Sequence, residues 1–398
     1  MFTHDDAVSL GEELSALRRE LHREPEVGLD LPRTQERVLR ALDGLPLEVT
    51  TGKGLSSVTA VLRGGRPGPS VLLRADMDAL PIQEDSGVDY ASRLPGAMHA
   101  CGHDLHVAGL VGAARLLSAH REELAGDVVF MFQPGEEGYG GAEIMIEEGL
   151  LDAAGDPPVA AYAVHVFSTG MPAGFVGSRG GTFMASSDSF DVRVVGKGGH
   201  GSSPHAVRDP IPPLCEIVTT LQTRVARSIN VLDPAVVTVG TLRAGTARNV
   251  IPEDGLLEAT VRTFSEQARQ DVRELVMETV AGIASAYRVE AEVDYRHDYP
   301  VTVNSADEAR FALDVAGELF EGRTFESPQP IPGSEDFSYV LQKVPGAMLF
   351  LSACPPVPDP AAAPMNHAPQ AVFDDSVLPD AALLLATLAA RRLEGAAE

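Results

Sequence analysis

Lysine is almost missing from this chain. Lys53, Lys197 and Lys343 are its only three lysines, and all basic residues together number 31 against 57 acidic ones, a net charge of −26. So little positive charge leaves no basic footprint for a phosphate backbone, which excludes nucleic acid as a partner. The same deficit argues against docking on anionic membranes. The preference for arginine over lysine reads as genome composition, with a salt-adapted acidic surface as the alternative. Long apolar runs are missing too: none approaches the ~18 residues of a membrane span. The first residues, MFTHDDAVSL, have neither a basic nor an apolar leader region, so no secretory signal is expected. Cys101, Cys215 and Cys354 are odd in number and far apart, which is not a disulfide framework. A reducing cytoplasm is the expected setting.

What is present suffices for a large core. The apolar fraction is 44% and the charged fraction 22%, as in ordinary globular proteins, and a core of this size needs no staples. At ~150 residues per domain, 398 residues allow two or three domains, or one with an insertion. Val8, Leu10, Leu14, Leu17 and Leu21 predict a helix over 6–24, capped by Asp5 or Asp6 and ended by Pro25. Continuous apolar runs follow at 57–62, 70–73, 127–132, 159–166 and 347–352. They suit strands covered on both faces. Helical stretches at 34–42, 104–120 and 141–151 lie between them, which argues an α/β layered domain.

The middle differs. Residues 189–195 alternate, with Phe190, Val192 and Val194 on one face. A helix over 213–227, strands over 235–242 and 255–264, a helix over 266–287 and a strand over 289–295 complete a β-α-β-β-α-β order, the split ferredoxin-like unit. The architecture expected is an α/β domain over 1–181 and 298–398, interrupted by a ferredoxin-like insertion over 182–297. The Gly177–Gly181 cluster and Tyr299–Pro300 are the expected hinges.

Four apolar strands share one design: each ends in charged or metal-capable residues. SVLLRADMDAL ends in Arg74, Asp76 and Asp78; DVVFMFQPGEEG in Glu136 and Glu137; VAAYAVHVF in His165; GAMLFLSA leads to His367. In open α/β sheets, ligands bind beyond the carboxyl ends of the strands. A fifth piece, MHACGHDLHVAGL, puts Cys101 and His103 at a helix start, two apart, where they can grip one ion. Each residue alone has a bland reading: a satisfied core histidine, a solvated glutamate pair, a small buried cysteine. Together they form a Cys/His/Glu/His/His set. His99 and His106 read as structural, as do His4, His22, His120 and His297.

That set suits Zn²⁺, Mn²⁺ or Co²⁺. Such an ion lowers the pKa of a bound water and polarises a carbonyl. A carboxylate beside it can take the water's proton and pass it to a leaving amine. Glu136 and Glu137 can divide those tasks, one as base and one as ligand.

With these residues assembled, the sequence resembles the di-metal amidohydrolase peptidases. Within them it is most similar to the branch of hippuricases, bacterial aminoacylases, N-acetyldiaminopimelate deacetylases and auxin-conjugate hydrolases. The motifs are LRRELHREPEVGL, RADMDALP, MHACGHDLH, FQPGEEGYGGAEIMIEEGLL, AVHVF, GKGGHGSSPH, RNVIPE, VRTF, PGSEDFSYV and MNHAP, in this order over nearly the whole chain. The resemblance implies two divalent metal ions held by Cys101, His103, Glu137, His165 and His367. It implies Glu136 as general base and Asp76 as support behind the ligands. It implies His200, in the insertion, as stabiliser of the tetrahedral intermediate, in some relatives across a dimer. Asn249, Gly333 and, on weaker grounds, Arg262 are implied to hold the substrate carboxylate. Read locally, Asn249 is an Asx-type turn before Pro252 and Gly333 a tight turn. The insertion is implied to be a lid and a surface for a homodimer or higher homo-oligomer. The proline-rich loop 355–364 is longer than the resemblance leads one to expect.

The expected function is hydrolysis of the amide of an N-acyl amino acid, a small-molecule substrate, giving a carboxylic acid and a free amino acid. A dipeptidase or aminopeptidase of the same fold is the alternative enzyme. A non-catalytic binding protein is the alternative outside enzymes, and the intact ligand set with Glu136 counts against it.

Overall fold

The computed structural model describes residues 2–396. Two compact units emerge. The first runs through Phe183, resumes over Val303–Gln329 and again from Asp336; the second is Met184–Thr302 with Pro330–Glu335.

The first unit is built on an eight-stranded sheet. Its order is Leu47–Thr51, Val58–Leu62, Ala125–Gln133, Arg66–Asp76, Ala160–Phe167, Gly346–Ser352, Val176–Ser178 and Thr324–Glu326. The four middle strands, from Ala125–Gln133 to Gly346–Ser352, run parallel. Nearly every residue of theirs beyond Ser70 is buried, which is why they read as continuous apolar runs rather than alternating ones. The helices His103–Ala119 and Leu378–Ala396 pack on these strands and on each other. They touch closely at Gly112, where an added Cβ would stand 2.6 Å from that of Ala382.

Strand Arg66–Asp76 leads to its neighbour Ala125–Gln133 on one side. Strand Ala160–Phe167, paired on its other side, leads away toward Gly346–Ser352. Two adjacent parallel strands whose connections run opposite ways leave a crevice at their carboxyl ends. Asp76, Asp78 and His165 lie there.

The second unit has the β-α-β-β-α-β order. Strands Ser187–Val195, Ala235–Ala244, Asp254–Thr263 and Glu290–Tyr299 form an antiparallel sheet ordered second-third-first-fourth, the ferredoxin-like arrangement. Phe190, Val192 and Val194 join Leu214, Ile217 and Val276 of its two helices in a separate core. A two-residue ribbon pairs Gly199–His200 with Val250–Ile251.

Several local details differ from the sequence reading. The first helix is two, His4–Ser9 and Gly11–Arg23, parted at Leu10 beside Gly11, a poor helix former. Its cap is a Thr3/Asp6 capping box rather than Asp5 or Asp6 as the cap residue. The second unit extends to Thr302 and includes Pro330–Glu335, which the sequence reading gave to the first. That return is held by the Ala185 N–H, which donates to the carbonyls of Ile331 (3.0 Å) and Gly333 (2.9 Å). Strands Leu47–Thr51, Val176–Ser178 and Thr324–Glu326 are exposed or short and carry little pattern. Among the described residues, no helix is long and apolar enough to cross a membrane.

Candidate metal centre

The chain reaches the crevice through two tight glycine turns. Gly102 adopts φ +85° between Cys101 and His103, and a Cβ there would stand 2.4 Å from Val166 Cγ2. Only glycine fits that position, and its turn sets both donors at the start of helix His103–Ala119. Gly135 (φ +75°) bends the chain after strand Ala125–Gln133, where a Cβ would meet Leu29. The paired glutamates follow at once. Asp78 holds both: its two carboxylate oxygens accept the backbone N–H of Glu136 and of Glu137, each at 3.0 Å.

The donors gather in overlapping groups. Ligand atoms of Cys101, His103 and His165 lie within 4.8 Å of one another, as do those of Cys101, Glu137 and His367, and those of His103, Glu136 and Glu137. Cys101 is common to the first two groups. Sγ of Cys101 is 3.3 Å from Nε2 of His165. Sulfur at ~2.3 Å and nitrogen at ~2.0 Å from a tetrahedral ion stand about 3.5 Å apart. His367 Nε2 is 3.1 Å from Glu137 Oε1.

The histidines are oriented from behind. His103 Nδ1 donates to the Asp78 carbonyl at 2.9 Å, and its buried Nε2 has no hydrogen-bond partner. His165 Nδ1 donates to the Val166 carbonyl at 2.9 Å, which leaves Nε2 facing Cys101. This is how proteins fix an imidazole for a metal. His106 differs. Its Nε2 accepts the Val166 N–H at 2.8 Å and its Nδ1 donates to Asp76, so both nitrogens are engaged. Ligand atoms of Asp76, His103 and His106 nonetheless lie within 4.8 Å of one another.

The electrostatics are those of a cation site. Hydrogen bonds with Cys101 and Glu137 push His367 up to about 10. Burial works against charge on His103, but Asp76 and Cys101 outweigh it and hold the imidazole well above its usual range. Burial holds His165 far below it. Burial would raise Asp76, yet Arg74, His103 and His106 hold it well below the usual carboxylate range. Arg74 is fixed in turn: Nε donates to Gln133 Oε1 at 2.9 Å and a terminal nitrogen to Asp336 Oδ1 at 3.1 Å. The N/S/O donor set fits borderline divalent ions.

The structure therefore brings together Asp76, Cys101, His103, Glu136, Glu137, His165 and His367. The remaining predicted residues belong to the second unit. His200 is exposed on the Gly199–His200 ribbon; its Nδ1 accepts the Ser202 N–H at 3.2 Å, so the ring proton sits on Nε2. Asn249 adjoins it, with its carbonyl accepting the Gly201 N–H at 2.8 Å. Arg262 is not turned to open solvent: it donates to Ser187 Oγ at 2.7 Å and to Thr260 Oγ1 at 3.1 Å. Gly333 lies in the returning segment, packed against Met184. Sequence reasoning named Asp78 only as a charged residue at a strand end and assigned no role to Gln133, Asp336 or Asn366. Their work is hydrogen bonding to distant backbone and buried side chains, which leaves no local pattern.

Residues 72–391 match the model of peptidase family M20/M25/M40. The chain belongs to that family. It is 37% identical over 351 residues to thermostable carboxypeptidase 2 of Saccharolobus solfataricus, covering 87% of each chain. It is 38% identical over 336 residues to the N-acetylcysteine deacetylase of Bacillus subtilis, covering 84% of this chain and 87% of that one. Among solved structures, the Bacillus subtilis YXEP protein, a dinuclear metal binding peptidase of the M20 family, superposes with a TM-score of 0.83 at 33% identity. It covers 97% of this chain and 99% of its own.

Proposed function

We propose that this M20 enzyme hydrolyses the amide bond of N-acyl amino acids with two divalent metal ions. It is a metal-dependent amidohydrolase. The observation that carries the reading is the sharing of Cys101 between two three-donor groups, because one thiolate common to two ligand sets suits a pair of ions. The two relatives' names fit one substrate plan. A deacetylase acting on N-acetylcysteine and a carboxypeptidase both cleave an amide whose leaving amine is an amino acid with a free carboxylate.

In this reading Cys101, His103, Glu137, His165 and His367 hold the ions, and Asp76, which accepts from His106 Nδ1, supports the centre from behind. Bound, the ions acidify a water and polarise the scissile carbonyl. Glu136 takes the proton of the attacking water and returns it to the departing amine nitrogen. His200, whose tautomer carries its proton on Nε2, donates to the oxyanion of the tetrahedral intermediate. Asn249, Gly333 and Arg262 are the candidates for holding the substrate carboxylate, with Arg262 the weakest because its guanidinium already has partners. The insertion serves as lid and as homodimer surface. A reducing cytoplasm suits Cys101 as a thiolate and the free thiols of Cys215 and Cys354.

The test is a turnover panel of N-acetyl and N-benzoyl amino acids, dipeptides and N-blocked peptides, each with Mn²⁺, Zn²⁺ or Co²⁺ added. N-acyl amino acids with a free carboxylate should turn over best, and their methyl esters poorly. Cleavage confined to substrates with a free α-amine would replace this reading with an aminopeptidase.

A further inference from the structure

We propose that Asn366 is a positioning residue that sets the mutual geometry of Cys101, His165 and His367. The inference rests on the reading of those three as metal ligands. The Asn366 amide has two N–H donors and two acceptor lone pairs. Both donors and one lone pair have partners of their own. Nδ2 donates to the carbonyls of Val166 (3.0 Å) and Cys101 (3.2 Å) and lies 3.8 Å from Cys101 Sγ. Oδ1 accepts the Ser168 backbone N–H at 3.0 Å; the Ser168 hydroxyl, also 3.0 Å away, shares its one proton with the Pro364 carbonyl at 2.8 Å. A backbone N–H can only donate and a carbonyl can only accept, so the amide sits one way round.

These partners belong to the segments that carry the ligands. The Val166 carbonyl also takes the Nδ1 proton of His165, so Asn366 and His165 share one anchor. The Cys101 carbonyl is one residue's backbone from the thiolate common to both groups. His367 follows Asn366 directly and adopts φ +69°, in a turn closed by the Ala368 N–H to the Met365 carbonyl at 3.0 Å. A non-glycine residue holds that conformation only where its surroundings over-determine it. Here the His367 N–H donates to the Ala100 carbonyl at 2.9 Å, so residues 366 and 367 clip to 100 and 101 through adjacent bonds. One amide thus ties the loop of His367, the helix start of Cys101 and the strand end of His165.

The test uses full-length protein freed of metal and titrated with Co²⁺. It reads affinity by competition with a chromophoric chelator and the sulfur-to-cobalt charge-transfer band. Circular dichroism and the thermal midpoint of the metal-free protein report the fold. Asn366→Asp keeps the shape, loses both donors and turns a negative charge on two carbonyls. It should stay folded, bind Co²⁺ about 10–100-fold more weakly and shift the band; Asn366→Ala should lose less. A folded Asn366→Asp with affinity within about twofold of wild type and the same band overturns the proposal. Should Asn366→Asp not fold, Asn366→Ala, which removes both donors without adding a charge, takes its place. It should weaken Co²⁺ several-fold, and unchanged affinity overturns the proposal. A wild-type protein without a thiolate band, or with one that survives Cys101→Ala, overturns the metal reading and this inference with it. A normal wild-type band with an unaffected Asn366→Asp overturns this inference alone.

Discussion

Sγ of Cys101 lies 3.3 Å from Nε2 of His165, a contact between a helix start and a strand end 64 residues later. The separation fits two donors on one ion. Cys101→Ala or His165→Ala should therefore release metal and activity together, while circular dichroism stays unchanged. Elemental analysis of the purified variants checks this. Full metal content in both would remove them from the ligand set.

The adjacent glutamates should separate. Glu137 is 3.1 Å from His367 and grouped with Cys101, whereas Glu136 shares no group with Cys101. Glu136→Gln should keep its metal and lose ~10²–10⁴-fold in turnover, the usual worth of a general base. Glu137→Gln should lose metal. Exchanged phenotypes would reverse base and ligand and leave the site standing.

His200→Ala should lower turnover ~10²–10³-fold with metal content unchanged, as for other oxyanion donors. Mixing inactive His200→Ala with inactive Glu136→Gln, under conditions that exchange subunits, asks which subunit it serves. A histidine acting across a dimer rebuilds about a quarter of wild-type activity at equal mixing. One acting within its own subunit rebuilds none.

Acid stability should depend on Glu84. Burial alone would raise its carboxyl, but hydrogen bonds from His22, the Ser86 hydroxyl and the Ser92 N–H (2.6 Å) bring it down to about 2 from an ordinary 4.5. Between those values the unfolded chain binds the proton that the folded one does not. Its contribution is therefore fully present above pH 4.5 and lost as pH falls through about 2. Thermal midpoints of metal-free protein against pH should fall more steeply below 4.5 for wild type than for Glu84→Gln. Parallel curves would contradict this.

The parts legible in the sequence are those where one position announces its own surroundings. Residues 71–73 and 160–164 are apolar because the sheet is covered on both faces, and the polar residues after them stand out for that reason. The alternation of Phe190, Val192 and Val194 likewise follows from a half-covered sheet. The return of Pro330–Glu335 to the second unit depends on which distant backbone is at hand, here Ala185. Asn366 is the sharpest case. Beside His367 in MNHAP it looks like a turn former, and its role follows only from Cys101, Val166 and Ser168, which lie 265, 200 and 198 residues away. Asp336 is similar, since its partners Arg74 and Gln133 come from strands early in the chain.

The central claim is hydrolysis of N-acyl amino acids at a two-ion centre built on Cys101. Its most direct test is the rate of N-acetyl amino acid hydrolysis by exhaustively chelated protein as Mn²⁺, Zn²⁺ or Co²⁺ is added back. The account predicts no activity without metal and a rise that levels off at two ions per chain, absent in Cys101→Ala. Full turnover by the metal-free protein, or a rise unaffected by Cys101→Ala, would contradict it.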